Sequence, residues 1–258
     1  MKMDFSALSN IINDLTDDCF WEPLQGDDQA IEEFDKHMAL IEESQDWDRR
    51  LNWKKGRVLE DLAVFLFERF IDSDVMKNKR PGDNETDIET RLSEKILPAF
   101  MSENIGQRII CECKNKKTSS IDVGVVTKLA ELLPVRGSRF GIFISILGVG
   151  GYAWKYGEGK RKKIMCKEGL PIISFTVKEL KVLRDGENFL TMIKQKFYSL
   201  VDEVDDESAD FPQEGNIEYN KRIFEIFEHL KKCEILNDEE EKLFQQRVIE
   251  RYGPIIND

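Results

Sequence analysis

The stretch "RIICECKNKK", residues 108–117, decides the fold and raises the question of function. It begins as an apolar strand, then places Glu112 and Lys114 on either side of Cys113 and runs into more lysines. A buried strand excludes an acid and a base unless they have a specific role. Because alternate side chains of a strand share a face, Glu112 and Lys114 should point one way and the two cysteines the other.

Strands and helices alternate on both sides of this stretch. Such alternation predicts an α/β fold built on a central sheet. The predicted strands are "TDIETRL", "RIICECKN", "RFGIFISIL" and "LPIISFT", and the predicted helices of the same region are "WKKGRVLEDLAVFLFERFI", "DVGVVTKLAELLP" ended by Pro134, "YAWKYGEGKRKKIMCKE" and "VKELKVL".

Charge divides the chain into three parts, although the whole chain carries −12. Residues 1–50 hold 4 basic and 14 acidic residues, residues 51–185 hold 25 and 18, and residues 186–258 hold 9 and 18. We therefore predict an acidic helical extension over 1–50, a basic core over 51–185 and an acidic helical region over 186–258. A basic core between acidic arms favours an anionic partner for the core.

Composition excludes several classes of protein. No apolar run approaches the length of a membrane span, and the N-terminal residues lack a basic segment followed by an apolar block, so we expect a cytoplasmic protein without a membrane partner. Five cysteines, an odd number, do not suggest a disulfide framework. Only two histidines are present, which argues against histidine-rich metal sites.

Carboxylates near Glu112 predict a metal site. Asp87 follows a turn and would lie beside Glu112 on a neighbouring strand, while Glu60 on the preceding helix would add another carboxylate. Two carboxylates and a lysine suit a divalent ion that prefers oxygen ligands, Mg²⁺ or Mn²⁺. Lys114 would then orient or deprotonate a water, or stabilise charge that develops on phosphorus. An exposed salt bridge between Glu112 and Lys114 is the structural alternative.

Three short motifs resemble the PD-(D/E)XK restriction-endonuclease-like superfamily, and their order is most similar to its Mrr-type branch. They are "LE" at 59–60, "ETD" at 85–87 and "CECK" at 111–114, followed by a helix, the strand "FGIFIS", a helix and a strand. The resemblance covers roughly residues 51–185. It implies a mixed sheet flanked by helices, with helical N- and C-terminal extensions outside it.

The same resemblance implies a function and a role for each motif residue. The function is metal-dependent hydrolysis of DNA phosphodiester bonds by an endonuclease of bacterial restriction or anti-phage defence. Asp87 and Glu112 would be metal ligands, Lys114 the catalytic lysine and Glu60 the helix carboxylate. Asp87 and Glu112 are 25 positions apart, a long separation for the Mrr type that leaves two other acids as alternatives to Asp87. These alternatives are Asp83 and Glu89.

Other functions and the partners stay open at this point. Lys116, Lys117 and Lys128 would contact DNA phosphates, although surface lysines need no special explanation. An inactive DNA- or protein-binding module on the same fold and an RNA-directed nuclease are the alternatives to a DNA endonuclease. An apolar stripe in the C-terminal helices predicts a homodimer, or a complex with another protein, formed through the helical extensions. It consists of Ile223, Phe224, Ile226, Phe227 and Leu230.

Overall fold

The computed structural model describes most of the chain, and everything below concerns that part. The described residues are 15–79, 86–95, 97–152, 155–205 and 219–254. Residues 80–85 of the stretch "NKRPGDNETD" (78–87), which the sequence predicts as a turn-rich loop and which contains Asp83, lie outside them. Residues 202–210, "DEVDDESAD", have the composition of an acidic linker, but the segment is helical through Asp205, and residues 206–210 lie outside the described residues.

Helices and strands alternate through the middle of the chain, as predicted. The helices are α1 (Asp28–Ser44), α2 (Asn52–Glu68), α3 (Val123–Val135), α4 (Tyr156–Glu168), α5 (Val177–Leu180), α6 (Phe189–Asp205), α7 (Tyr219–Lys232) and α8 (Asp238–Tyr252). The strands are β1 (Asp74–Lys79), β2 (Thr86–Arg91), β3 (Arg108–Lys114), β4 (Phe140–Ser145) and β5 (Ile172–Thr176). Short 3₁₀ turns cover Asp17–Cys19, Arg49–Leu51 and Lys181–Asp185, and a π-helical turn covers Met101–Ile105.

The five strands form one mixed sheet in the order β1-β2-β3-β4-β5. The first two pairings are antiparallel, and β3, β4 and β5 run parallel to one another. Strand β4, which lies between β3 and β5, is buried along its whole length, as its continuous apolar sequence predicts. The predicted α/β fold, a mixed sheet flanked by helices with helical regions at both ends, is therefore confirmed.

Helices cover both faces of the sheet because β3 places apolar side chains on both. Ile109 and Cys111 belong to the core that includes the apolar residues of α1, α2 and α6, whereas Ile110 packs with those of α3 and α4. The first core extends from Trp21 to Leu200. Buried packing thus crosses the charge boundaries at 50 and 186, and the division into three parts stays a prediction.

Two local features differ from the sequence expectations. Strand β1 was not predicted, because "DVMKNK" holds only two apolar residues and no alternating pattern. Pro134 lies inside α3 instead of ending it, and the helix ends one residue later at Val135.

Candidate active site

The candidate site lies where β3 ends beside the first residues of β2. The antiparallel register pairs Ile88 with Cys111, so its continuation sets Asp87 opposite Glu112. The backbone N–H of Cys113 donates to Oδ2 of Asp87 at 2.8 Å, which fixes this carboxylate at the strand end. Two acids that are 25 positions apart in sequence are thereby brought together, as the sequence predicted.

Glu112 is a largely buried acid whose two oxygens differ in their surroundings. Its side chain is 12% exposed, and Oε2 lies 3.5 Å from Nζ of Lys128. Oε1 is buried and has no hydrogen-bond partner among the described residues. The pKa of Glu112 is raised to about 7, first by burial and then by the negative charge of Asp87. Oε1 is therefore the oxygen of Glu112 that is open to a further cation or to a proton.

Lys114 extends from the same face of β3, two residues after Glu112. It is half-buried, and its Nζ donates to the carbonyl oxygen of Ser120. The segment that carries Ser120 is held by the loop after β4, because the N–H of Ile121 donates to Gly148 and the N–H of Gly150 donates to Ile121, both at 2.9 Å. The position of the lysine ammonium thus depends on how two loops pack at this edge of the sheet.

A comparison with models of known protein families matches residues 54–173 to the restriction endonuclease family in its Mrr-type branch. Residues 54–173 are similar to the Mrr-type restriction endonucleases, as the motifs predicted. The match begins in the first turn of α2, includes Asp87, Glu112 and Lys114, and ends within β5. Neither the curated proteins nor the solved structures that were searched gave a match.

Restriction endonucleases of this family generally use divalent metal ions, and the acids of this domain fit such an ion. No group of three or more potential ligands occurs among the residues that the structure describes. Mg²⁺ does not need one, since it usually binds through one or two carboxylates and takes its other ligands from water and substrate phosphates. The buried, unpartnered Oε1 of Glu112 beside Asp87 is the feature that fits such an ion best.

Glu60 lies on a different side of the restriction endonuclease domain's sheet from Glu112. It is buried on α2, and its Oε2 lies 3.6 Å from both Arg57 and Lys77. The pKa of the Cys113 thiol is raised, first by the hydrogen bond to Cys111 and then by burial, and the charge of Glu60 adds to this rise. These cysteines occupy the face opposite Glu112, so the described contacts of Glu60 belong to that face. Its role at the site stays a prediction.

Of the two alternatives to Asp87, the structure describes one. Glu89 is completely buried, with its carboxylate oxygens 3.4 Å from Arg108 and 3.7 Å from Arg136. Arg136 also donates to the hydroxyl of Thr86 at 3.3 Å. Two arginines therefore balance the charge of Glu89, which ties β2 to β3 and to the end of α3. Asp83 lies outside the described residues.

The three predicted DNA-binding lysines have different surroundings. Lys116 is exposed, and Lys117 is paired with Asp46 at 2.7 Å. Lys128 is exposed on α3 and is the cation nearest to Glu112 in the described contacts. Lys128 therefore lowers the pKa of Glu112 against the effects of burial and of Asp87. Contact of these lysines with DNA stays a prediction.

Sequence reasoning missed two residues that position the site. The side chain of Asn115 is buried directly after Lys114 and bonds to Gln45, Ser44 and the Lys55 carbonyl at 2.6, 3.1 and 2.7 Å. A Cβ atom on Gly150 would stand 2.3 Å from the hydroxyl of Ser120. The glycine-rich "GVGG" at 148–151 was a visible signal for a close backbone approach, whereas nothing in the sequence pairs Asn115 with α1.

Proposed function

We propose that this protein is a metal-dependent endonuclease that hydrolyses DNA phosphodiester bonds. The carrying observation is the pair Asp87 and Glu112 at the end of β3, with a buried carboxylate oxygen that has no hydrogen-bond partner. Lys114 on the same face supplies a positive charge at the same edge of the sheet. The restriction endonuclease family of residues 54–173 supports nuclease activity for this arrangement.

Each candidate residue has a distinct task in this proposal. Asp87 and Glu112 would hold Mg²⁺ or Mn²⁺, which neutralises phosphate charge and lowers the pKa of a bound water. Asp87 keeps its orientation through the Cys113 N–H, and Glu112 must be ionised to act as a ligand. Lys114 would exchange the Ser120 carbonyl for a phosphate oxygen or a water, and its ammonium would stabilise the developing negative charge.

DNA as substrate is supported by charge as well as by family. Residues 51–185 hold 25 basic and 18 acidic residues in a chain that is otherwise strongly acidic. A basic domain attracts the phosphate backbone, and the acidic arms should restrain binding that does not depend on sequence. We include a role in bacterial restriction or anti-phage defence in the proposal, and the family match of residues 54–173 supports it.

Assembly through the C-terminal helices is part of the same proposal. Phe227 of α7 packs on Phe244 of α8 with ring centroids 5.7 Å apart, so part of the predicted apolar stripe is used within the chain. Ile226, Ile235 and Leu243 remain 44%, 66% and 48% exposed. A homodimer, or a complex with another protein, would cover them. A monomer in sedimentation at all micromolar concentrations, combined with complete double-strand cutting, would contradict this part.

The test of the main proposal is cleavage of plasmid DNA with Mg²⁺ or Mn²⁺, in parallel with single-stranded DNA and RNA. Metal-dependent cutting of DNA supports a DNA endonuclease, cutting of RNA alone supports an RNA-directed nuclease, and no cutting supports an inactive binding module. The exposed Glu131 on α3 provides a matched control, because Glu131→Gln changes an acid outside the site.

No helix in the described ranges is both long and apolar enough to cross a bilayer.

A further inference from the structure

A basic segment crosses the boundary that net charge set at residue 50. Residues 49–57, "RRLNWKKGR", contain five basic residues and no acid. The segment covers the 3₁₀ turn Arg49–Leu51 and the first turns of α2, and most of it precedes the family match at residue 54. Arg49, Arg50 and Lys54 are all exposed. The acidic N-terminal extension thus ends in a concentrated positive patch.

Trp53 stands in the middle of this patch and is 70% exposed. Among the described residues it is the most exposed of the large apolar side chains. In contrast, Trp21 is completely buried and donates its indole N–H to the Leu66 carbonyl at 2.9 Å. An indole left in water forgoes a large gain from burial, so its exposure among cations indicates a surface that binds something.

The patch lies at the carboxyl end of β3, on the side of the sheet that α2 covers. The carbonyl of Lys55 accepts a hydrogen bond of 2.7 Å from the side chain of Asn115, the residue that follows Lys114. The pKa of Lys55 is lowered, first by burial and then by the positive charge of Lys117, which lies in the same loop as Asn115. The basic segment 49–57 and the lysines after β3 are therefore neighbours on one surface.

We propose that Arg49, Arg50, Trp53 and Lys54, here called the Trp53 surface, bind a single-stranded stretch of the nucleic-acid substrate next to the cleavage site. The proposal rests on the proposed nuclease function and deepens it by naming a substrate class. Exposed cations neutralise backbone phosphates, and an exposed indole offers a flat face on which an unpaired base stacks. Gapped, frayed or single-stranded DNA would meet both features at once.

The single strand is favoured over an intact duplex because base faces inside a duplex are already stacked. On a duplex, the indole would reach only the backbone and the groove edges. Cations can contact the phosphates of a duplex without the indole. A protein partner is disfavoured because the surface combines three exposed cations with one aromatic ring and lies next to a site for phosphodiesters. The indole therefore distinguishes unpaired from paired substrates, and the cations do not.

The test is fluorescence anisotropy of labelled DNA with the full-length protein in a chelator, so that cleavage does not occur. Three probes share one sequence: a single strand, a blunt duplex and a duplex with a single-stranded gap. Trp53→Ala should weaken binding of the single strand and the gapped duplex about fivefold or more and change blunt-duplex binding less than about twofold. Trp53→Phe should restore most of the affinity, because a phenyl ring still stacks on a base.

Two control variants and two outcomes make the test decisive. Tyr198→Ala removes another exposed aromatic side chain, 53% exposed, and Lys181→Glu reverses an exposed charge outside the Trp53 surface. Wild-type affinity of Trp53→Ala for all three probes, or equal loss on all three, overturns the proposal. The binding assay contains no metal, so its result does not depend on cleavage. A wild type that never cuts DNA in the separate cleavage assay would refute the nuclease function. Selective loss of single-strand binding in Trp53→Ala would still support the Trp53 surface.

Discussion

Replacing Glu112 with glutamine should stabilise the metal-free protein above neutral pH and change it little under acidic conditions. The pKa of Glu112 is raised from 4.5 to about 7, first by burial and then by Asp87. The folded state therefore holds a proton between these values that the unfolded state has released. Stability in this interval falls as pH rises, and the loss is complete above the folded-state pKa.

The size of the effect follows from the shift. One pKa unit corresponds to about 1.4 kcal/mol, so burying the ionised Glu112 costs about 3 kcal/mol at about pH 8.5. Solvent screens this little, because the side chain is only 12% exposed. Glutamine has nearly the same shape and no charge, so Glu112→Gln should raise the melting temperature by about 5 to 10 °C at that pH. Near pH 4.5 the two proteins should melt within about 2 °C of each other.

Thermal or urea unfolding in a chelator at several pH values measures this difference. Glu131→Gln, a change of an exposed acid on α3, should show no such pH dependence. Addition of Mg²⁺ at high pH should stabilise the wild type and leave Glu112→Gln unchanged, because only the carboxylate binds the ion. Equal stability differences at low and high pH, or a less stable Glu112→Gln above neutral pH, would refute the reasoning.

Three further predictions concern the surroundings of the site. Asp87→Asn should abolish Mg²⁺ binding in calorimetry with little loss of stability. Glu89→Gln should lower the free energy of unfolding by about 3 to 5 kcal/mol, because it leaves Arg108 and Arg136 without their buried acid; the opposite pattern would make Glu89 the ligand. Gly150→Ala should lower kcat, because the added Cβ would displace Ser120, whose carbonyl accepts the hydrogen bond from Lys114. Adding Ser120→Gly should restore kcat, and a double variant without rescue would contradict this coupling. Removing residues 206–258, which hold 7 basic and 14 acidic residues, should raise DNA affinity at low salt if the acidic arm restrains binding, and unchanged affinity of the folded truncation would exclude that role.

Local patterns predicted those parts of the fold that depend on neighbouring residues in sequence. The alternation in "RIICECK" placed Glu112 and Lys114 on one face, and the structure puts Ile110 and Cys111 in separate cores as that alternation requires. Strand β1 escaped prediction because its place depends on pairing with β2, and its own sequence carries no alternating pattern. Pairing between strands is a tertiary property that a short polar segment does not encode by itself.

Contacts between distant segments limited what the sequence predicted about the site. The approach of Asp87 to Glu112 depends on the register of β2 against β3, which neither segment encodes alone; the sequence predicted that the two acids lie on neighbouring strands, without the register. The choice of residue 50 as a charge boundary divided the basic segment 49–57 and concealed its closeness to Lys114. Asn115 joins that segment to β3 through a hydrogen bond that no sequence pattern indicates.

The most direct test of the central claim is the rate at which Lys114→Ala cleaves plasmid DNA in Mg²⁺, compared with the wild type and with Lys181→Ala. The wild type and Lys181→Ala should convert supercoiled plasmid to cut forms at similar rates and only when the metal is present. Lys114→Ala should fold normally and be slower by about a hundredfold or more, since it lacks the ammonium beside the candidate metal ligands. Cleavage by Lys114→Ala at the wild-type rate would contradict the account.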